Sequence, residues 1–358
     1  MSTTTLKFTG KESLAPAKIL QPTWQRIILL SMIGYEAAGC LAGGLLLTMA
    51  PDGRLMDMPV DMMHGVFPNF LIPGIILFGL GILNSFAFVS VLRRLRNDWL
   101  MANLAMGGLF IWFLVEIAIL KELHWLHAMW GIPVLLGWTM AIPLIVLRHD
   151  TDRIRKILLA CGILSTLWYL VINIIVPPYY EGYSSVTQTV SELSAIGAPT
   201  RVLWFLLCVI YPLLYVAFGW GVFFSSAGNR SLRFMAIAIL IYGGLNFYWP
   251  PMHTREVLAA GGGTLSDSLH IAWAMMTLVF NMIMMGFGLV ALGKGFRYYT
   301  IATIVVFIIF GILIGIETPG IQTNSPTPGI GIWERINIAA FMLWIAVLAF
   351  VLLRRKNI

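Results

Sequence analysis

Residues 249–270, WPPMHTREVLAAGGGTLSDSLH, form a polar break between two long apolar runs, Phe234–Trp249 and Ile271–Leu292. The break holds two of the six histidines of the chain, His253 and His270. An apolar run of roughly 20 residues can cross the hydrocarbon of a membrane as a helix. The alternation of such runs with polar breaks therefore decides the fold.

The composition of the whole chain agrees with this interpretation. Of the 358 residues, 59% are hydrophobic and 11% are charged, whereas about a quarter of the residues of a soluble globular protein are charged. This balance indicates a polytopic membrane protein. Cys40, Cys161 and Cys208 all lie within apolar runs, which is typical of small buried side chains and not of a disulfide framework.

The apolar runs predict about ten transmembrane helices and an all-α, polytopic fold. Each span is predicted to be a helix, because an isolated strand would leave backbone N–H and C=O groups unpaired in lipid. The predicted spans are Ile27–Met49, Phe70–Leu92, Trp99–Leu120, Ala128–Leu147, Ile157–Val176, Val202–Phe223, Phe234–Trp249, Ile271–Leu292, Thr300–Ile316 and Ile336–Leu353.

The positive charges orient these spans, because cytosolic loops of membrane proteins carry an excess of Lys and Arg. With the N-terminus inside, all but five of the 23 Lys and Arg residues fall in inner segments. The five outer ones are Arg54, Lys121, Arg201, Arg255 and Arg335. Both termini are therefore predicted to be cytosolic, and in a bacterium the protein would be a multi-pass protein of the cytoplasmic membrane. The net charge of +7 follows this topology pattern, so it does not indicate a nucleic-acid partner.

The charged loop Arg148–Lys156 is the best candidate for a domain boundary. We predict a cytosolic N-terminal segment (1–26), a four-helix membrane module (27–147), a cytosolic linker (148–156) and a six-helix membrane module (157–358). The sequence has no P-loop and no Rossmann glycine pattern, which argues against a nucleotide ligand. Membrane lipids are the expected partners.

The outer segments carry most of the titratable groups. Ten of the sixteen acids fall there, and of the six histidines only His149 is predicted to lie inside. Long loops with such residues are where function concentrates. Any metal-binding or titratable site is therefore expected on the extracytosolic face.

Two stretches of the second half carry a family resemblance. Thr189–Arg201 (TVSELSAIGAPTR) and the Met-His-x-x-Glu…Asp-x-x-His element of His253–His270 resemble a bacterial six-helix membrane family catalogued as domain of unknown function 998. The resemblance covers residues 157–355 and implies a fold but no activity. His64–Gly74, Trp112–Glu116 and His124–His127 likewise resemble small, uncharacterised four-helix bacterial membrane proteins.

The spacing of His253-x-x-Glu256 and Asp267-x-x-His270 suggests a metal site. Residues three apart share one face of a helix, and imidazole together with carboxylate suits a transition metal such as zinc. The alternative is structural. Asp267 or Ser266 would cap the following helix, His253 would hydrogen-bond within the loop, and His270 would be an interfacial side chain.

Ser191 and Glu192 are candidate catalytic residues, because a nucleophile and a base on the same outer face would suit a hydrolase or transferase acting on a lipid-type substrate. The alternative is a short amphipathic helix that Gly197 ends.

Glu36 and Glu116 are carboxyl groups within predicted spans. An intramembrane acid is a functional candidate by default, and Glu36 would serve a proton- or ion-coupled carrier. The alternative is a neutral acid hydrogen-bonded to a neighbouring helix. Three hypotheses thus remain from the sequence: a membrane protein without chemistry, a metal-dependent enzyme, and a carrier.

Overall fold

The computed structural model describes residues 23–148 and 151–355. The described residues form helices and one isolated backbone bridge, with no strand. Parts of the predicted N-terminal segment (1–22) and linker (149–150, with His149) lie outside the described residues. The α-helices are α1 (Thr23–Met49), α2 (Leu71–Leu92), α3 (Asp98–Leu120), α4 (Trp125–Arg148), α5 (Thr151–Ile175), α6 (Arg201–Cys208), α7 (Ile210–Phe224), α8 (Arg230–Leu245), α9 (Arg255–Ala259), α10 (Leu265–Ala291), α11 (Lys294–Gln322) and α12 (Ile330–Arg354).

Nine segments within the described residues are long and apolar enough to cross a membrane, which makes this an all-α, polytopic membrane protein as predicted. The seventh predicted span, Phe234–Trp249, is not among these nine segments. Its residues up to Leu245 belong to α8, which has 16 residues and begins at Arg230. At 1.5 Å per residue α8 is about 24 Å long, shorter than the roughly 30 Å of a hydrocarbon core. It packs against both α7 and α10.

The sixth predicted span consists of two helices. α6 ends at Cys208 and α7 begins at Ile210, with Val209 between them. Pro212 has no N–H to donate to the carbonyl of Cys208, four residues earlier, and its ring crowds that carbonyl. The interruption thus follows from the sequence, and both helices still belong to one candidate span, Arg201–Phe224.

The first two helices pack with their backbones close together. A Cβ atom on Gly44 of α1 would stand 2.4 Å from the backbone nitrogen of Phe78 in α2, and one on Gly81 of α2 would stand 2.8 Å from the backbone nitrogen of Leu41. Small residues permit such an approach between membrane helices. With α3 and α4, this pair encloses an apolar core that includes Met106.

Helices α5, α7, α8 and α10–α12 surround a second core, which includes Met284 of α10 and Trp344 of α12. The Trp344 Nε1 atom donates to Thr300 Oγ1 of α11 at 2.9 Å. A third apolar cluster joins α4 to α7, and there the Trp220 Nε1 atom donates to the carbonyl of Thr139 at 2.9 Å. The two groups of helices therefore share a packed boundary.

The close contact at Gly44 predicts a stability difference between two glycine substitutions. Gly44→Ala should lower the free energy of unfolding, because its methyl group would overlap the Phe78 backbone. Overpacking of this kind typically costs about 1–3 kcal/mol. Gly79→Ala is the matched control, since nothing lies within 4 Å of a Cβ atom at that position of α2. Unfolding of the purified protein in mixed micelles measures both, and equal stability of the two variants would contradict the contact.

Candidate functional site

Three connecting segments meet at one end of the bundle: residues 176–200, 246–264 and 323–329. The Ile196 N–H donates to the Met252 carbonyl at 2.7 Å, which joins the first two segments. The Thr327 hydroxyl donates to the Thr187 carbonyl at 2.7 Å, which joins the third. We call residues 176–200 the roof loop.

A buried ion pair fixes the roof loop. Arg255 donates from Nε to Glu192 Oε1 at 2.5 Å and from Nη2 to Oε2 at 2.9 Å. The side chains of Arg255 and Glu192 are only 9% and 4% exposed. Glu192 also accepts from the N–H and hydroxyl of Thr189 at 2.7 and 2.9 Å. Arg255 reaches Thr327 Oγ1 at 2.7 Å and the Thr187 carbonyl at 2.9 Å. The guanidinium group of Arg255, in segment 246–264, therefore links that segment to the other two.

A second cation holds the other side of the roof loop. Arg335 of α12 donates from Nη1 to the carbonyls of Ser185 and Gln188 at 2.9 and 3.1 Å, and from Nη2 to the Tyr183 hydroxyl at 2.7 Å. Burial raises the pKa of Tyr183 to about 12, although Arg335 opposes the shift. The hydroxyl therefore stays protonated at neutral pH and donates to the Thr189 carbonyl at 2.7 Å.

The structure brings His253 and Asp267 into contact. Asp267 Oδ2 accepts from His253 Nδ1 at 2.9 Å, and its Oδ1 accepts from the His253 N–H at 2.7 Å. The carboxylate can only accept, so the ring proton lies on Nδ1. Asp267 also accepts from the Thr264 N–H at 2.8 Å, which completes a capping box whose N-cap residue is Thr264. The pair therefore has the geometry of the N-terminus of α10. The N-cap residue is Thr264, three residues before Asp267, which was predicted as the cap.

The other two predicted metal ligands are placed differently. His270 Nδ1 donates to the Pro250 carbonyl at 2.7 Å, and Glu256 of α9 is exposed. Within residues 23–148 and 151–355, no group of three or more His, Cys, Asp or Glu side chains is placed to hold a metal ion. The contacts made by His253 and Asp267 thus correspond to the structural alternative, whereas His270, expected there as an interfacial side chain, bonds a loop carbonyl.

Glu36 and Glu116 lie in the N-terminal helices, away from the roof loop. Glu36 is 1% exposed, and its Oε1 atom has no hydrogen-bond partner among the described residues. Glu116 lines an apolar cavity of about 280 Å³ between α2, α3 and residues 58–70.

The remaining outer histidines make local contacts. His64 Nδ1 donates to the Ile119 carbonyl at 3.1 Å, which ties the first outer loop to the end of α3. The His127 Nδ1 atom accepts from the His124 N–H at 2.9 Å, just where α4 begins. Both contacts satisfy backbone groups at helix ends.

A chamber of about 280 Å³ lies beneath the roof loop, among helices α5–α8 and α10–α12. Val190, Ser191 and Ser194 of the roof loop close one end of it. On α10 its wall runs from His270 to Asn281, which is about 16 Å along a helix. The chamber therefore extends to about half the depth of a hydrocarbon core.

The chamber wall combines aromatic rings with a few polar groups. Asn281 is 5% exposed, and its Oδ1 atom has no hydrogen-bond partner among the described residues. Glu334 uses Oε2 to accept from the Val190 N–H at 2.5 Å. Asn337 donates from Nδ2 to the Phe307 carbonyl at 2.6 Å. The chamber wall thus places a few polar groups, one of them with an unpaired oxygen, among apolar side chains and rings such as that of Trp273.

Two of the predicted site residues, Ser191 and His270, line this chamber, whereas Glu192, His253, Glu256 and Asp267 do not. Sequence reasoning did not identify Asn281, Asn337 or the pairing role of Arg255. A signal existed for the asparagines, because each is an isolated amide within a long apolar run, and polar side chains in spans are costly. No local pattern pairs Arg255 with Glu192, 63 positions away.

The helices and the chamber define an α-helical, multi-pass membrane protein with a partly polar internal cavity. A family model described as "Protein of unknown function (DUF998)" matches residues 163–351, more than half of the chain, and the protein belongs to this family. The match confirms the resemblance drawn from Thr189–Arg201 and His253–His270, and it contains the chamber and the roof loop. No curated protein and no solved structure matches the chain.

The buried pair predicts that Glu192→Gln is strongly destabilising. Removal of one partner leaves the Arg255 charge buried without compensation, which typically costs about 3–5 kcal/mol. Glu256→Gln changes the same group at an exposed neighbouring position and should stay within about 0.5 kcal/mol of the native protein. Unfolding in mixed micelles measures both variants. Similar stabilities would show that the pair does not hold the roof loop.

Proposed function

We propose that the protein binds an amphipathic small molecule in the chamber, within the cytoplasmic membrane of a bacterium. The observation that supports this most strongly is a cavity of about 280 Å³ that adjoins an unpaired, buried amide oxygen on Asn281. Ligand sites are usually concave and mostly apolar, with a few placed polar groups that fix orientation. The chamber has both properties.

The chemistry of the wall indicates the class of ligand. Asn281 Oδ1 and the Glu334 carboxyl group are acceptors, so the ligand should present hydroxyl or amine donors to them. The rings of Trp204, Trp273 and Phe341 offer an apolar surface to the rest of the molecule. A buried acceptor without a partner costs about 1–3 kcal/mol, which a donor on the ligand would recover.

Filling the chamber should expel the ligand. Gly311 lines the chamber, and a Cβ atom there would meet its nearest neighbour, Asn337 Nδ2, at an ordinary 3.6 Å. Gly311→Leu should therefore fold while it occupies ligand space. Gly315→Leu, on the same helix with nothing within 4 Å of the added Cβ atom, is the matched control. Small molecules extracted from each purified protein are identified and quantified by mass spectrometry.

We expect a donor-bearing amphiphile to co-purify with the native protein and with Gly315→Leu, and to be reduced by about tenfold or more in Gly311→Leu and in Asn281→Leu. Asn173→Leu controls for the asparagine change, because Asn173 bonds the Tyr169 carbonyl at 3.0 Å on α5 and does not line the chamber. A native protein without such a compound, or equal amounts in all variants, would refute ligand binding in the chamber.

We further propose that the roof loop lies on the extracytosolic side, with both termini cytosolic. The excess of Lys and Arg in the opposite loops supports this orientation. At that opposite end, Arg26 donates to the Val91 carbonyl at 3.1 Å, and Arg155 donates to the Leu352 carbonyl at 3.4 Å. The segments predicted to lie on one side thus contact one another.

Cysteine labelling in intact cells tests this orientation. Glu181→Cys places a thiol at an exposed position of the roof loop, and Gly295→Cys places one at the opposite end, where nothing lies within 4 Å of the new Cβ atom. A membrane-impermeant maleimide should label the first variant in intact cells and the second only after permeabilisation. The native protein, whose cysteines are buried or partly buried, controls for background. Labelling of Gly295→Cys in intact cells, and of Glu181→Cys only after permeabilisation, would show that the orientation is the opposite of the proposed one.

A further inference from the structure

A third cavity, of about 240 Å³, lies between the N-terminal helices and α6. We call it the cleft. Phe110 of α3 and Leu135 of α4 form one wall, and Phe205 and Val209 form the other. Among their lining residues, the cleft and the chamber share only Ser194 and Trp249. The cleft is therefore a separate space on the other side of the Trp249 ring.

Polarity changes along the cleft in one direction. Arg201, His124, His127 and Tyr248 line it near the roof end, where α4 and α6 begin. Val209 lies eight residues deeper than Arg201, which is about 12 Å along a helix. The deeper walls carry apolar side chains. This gradient matches the profile of a membrane leaflet, with a polar interface above hydrocarbon.

Arg201 is the charged group of the cleft that lacks a counter-charge. Its Nη1 atom donates to the Ser194 carbonyl at 2.8 Å. No carboxylate of the described residues forms an ion pair with it, whereas Arg255 at the same end of the bundle pairs with Glu192. A partly buried guanidinium group above an apolar slot favours an anion there.

We propose that the cleft binds a long-chain fatty acid, with its carboxylate on Arg201 and its acyl chain along Phe110, Leu135 and Val209. A carboxylate matches the planar fork of a guanidinium group and can accept two hydrogen bonds from it. The cleft is smaller than the roughly 300–1,000 Å³ of typical small-molecule pockets. A single acyl chain suits this volume better than the two chains of a bilayer phospholipid.

The test compares two probes that differ only in the headgroup, oleate and oleyl alcohol. Binding of each radiolabelled probe to the full chain in nanodiscs is measured by equilibrium dialysis. The native protein should prefer oleate by about tenfold, because a hydrogen bond to a charged group is worth more than a neutral one. Arg201→Gln should lose this preference and Arg201→Lys should keep most of it. Arg54→Gln removes an exposed outer charge that already contacts Asp52 and should change nothing.

Two glycine substitutions test the acyl-chain part independently. Gly131 lines the cleft, and nothing lies within 4 Å of a Cβ atom there, so Gly131→Leu should fold and reduce binding of both probes by about tenfold or more. Gly286→Leu is equally unobstructed, lies on α10 outside the cleft and should bind both probes normally. The chamber variant Gly311→Leu should also bind oleate normally, which separates this site from the chamber.

Equal binding of oleate and oleyl alcohol by the native protein would overturn the proposal. So would unchanged oleate binding in Gly131→Leu, or a preference for a two-chain anionic phospholipid over oleate in direct competition. If Arg201→Gln does not fold, the headgroup comparison on the native protein and the Gly131 and Gly286 pair still decide the question.

Discussion

The rest of this structure depends on one constraint: hydrocarbon offers no hydrogen-bond partner, so each polar group inside the membrane must be paired within the protein. The backbone meets this requirement by forming helices. The side chains meet it by donating to backbone carbonyls, as Trp220 does to Thr139 and Asn337 does to Phe307. Such bonds run between helices, and they therefore fix which helices are neighbours as well as satisfying the donors.

The same constraint applies to the ion pair of the roof loop, which is shielded from water. Glu192 and Arg255 are both buried, and a buried charge persists only when it is paired and hydrogen-bonded. The pair is surrounded by Thr189, Thr187 and Thr327, which satisfy the remaining donors and acceptors. The ion pair and the apolar clusters around Leu193 and Met252 together give the connecting segments one arrangement, and Ser191 and Ser194 lie at the end of the chamber.

The helices were predictable because each depends on local composition, and the chamber was not because it depends on tertiary contacts. Even the interruption at Val209 could have been read from Pro212, since the missing N–H acts four residues away. Glu192, by contrast, was predicted as a candidate catalytic residue beside Ser191, and its sequence neighbours do not show that Arg255 folds against it. His253 and Asp267 were predicted as members of one cluster but in separate pairs, with Glu256 and His270, because spacing along the chain does not show that the loop brings His253 onto the capping box of Asp267. The sequence shows Asn281 as an isolated amide in an apolar run, but it does not show the cavity beside that amide.

An unpaired buried oxygen has a different meaning in different surroundings. Glu36 Oε1, Asn84 Oδ1 and Asn281 Oδ1 all lack a hydrogen-bond partner among the described residues, and all three side chains are buried. Glu36 and Asn84 lie among packed helices and line neither the chamber nor the cleft. Asn281 borders a space large enough for a ligand. The absence of a partner is thus a signal for binding only where a second molecule has room to supply the missing donor, and in α5–α12 that place is beneath the roof loop, in the part of the chain that the family shares.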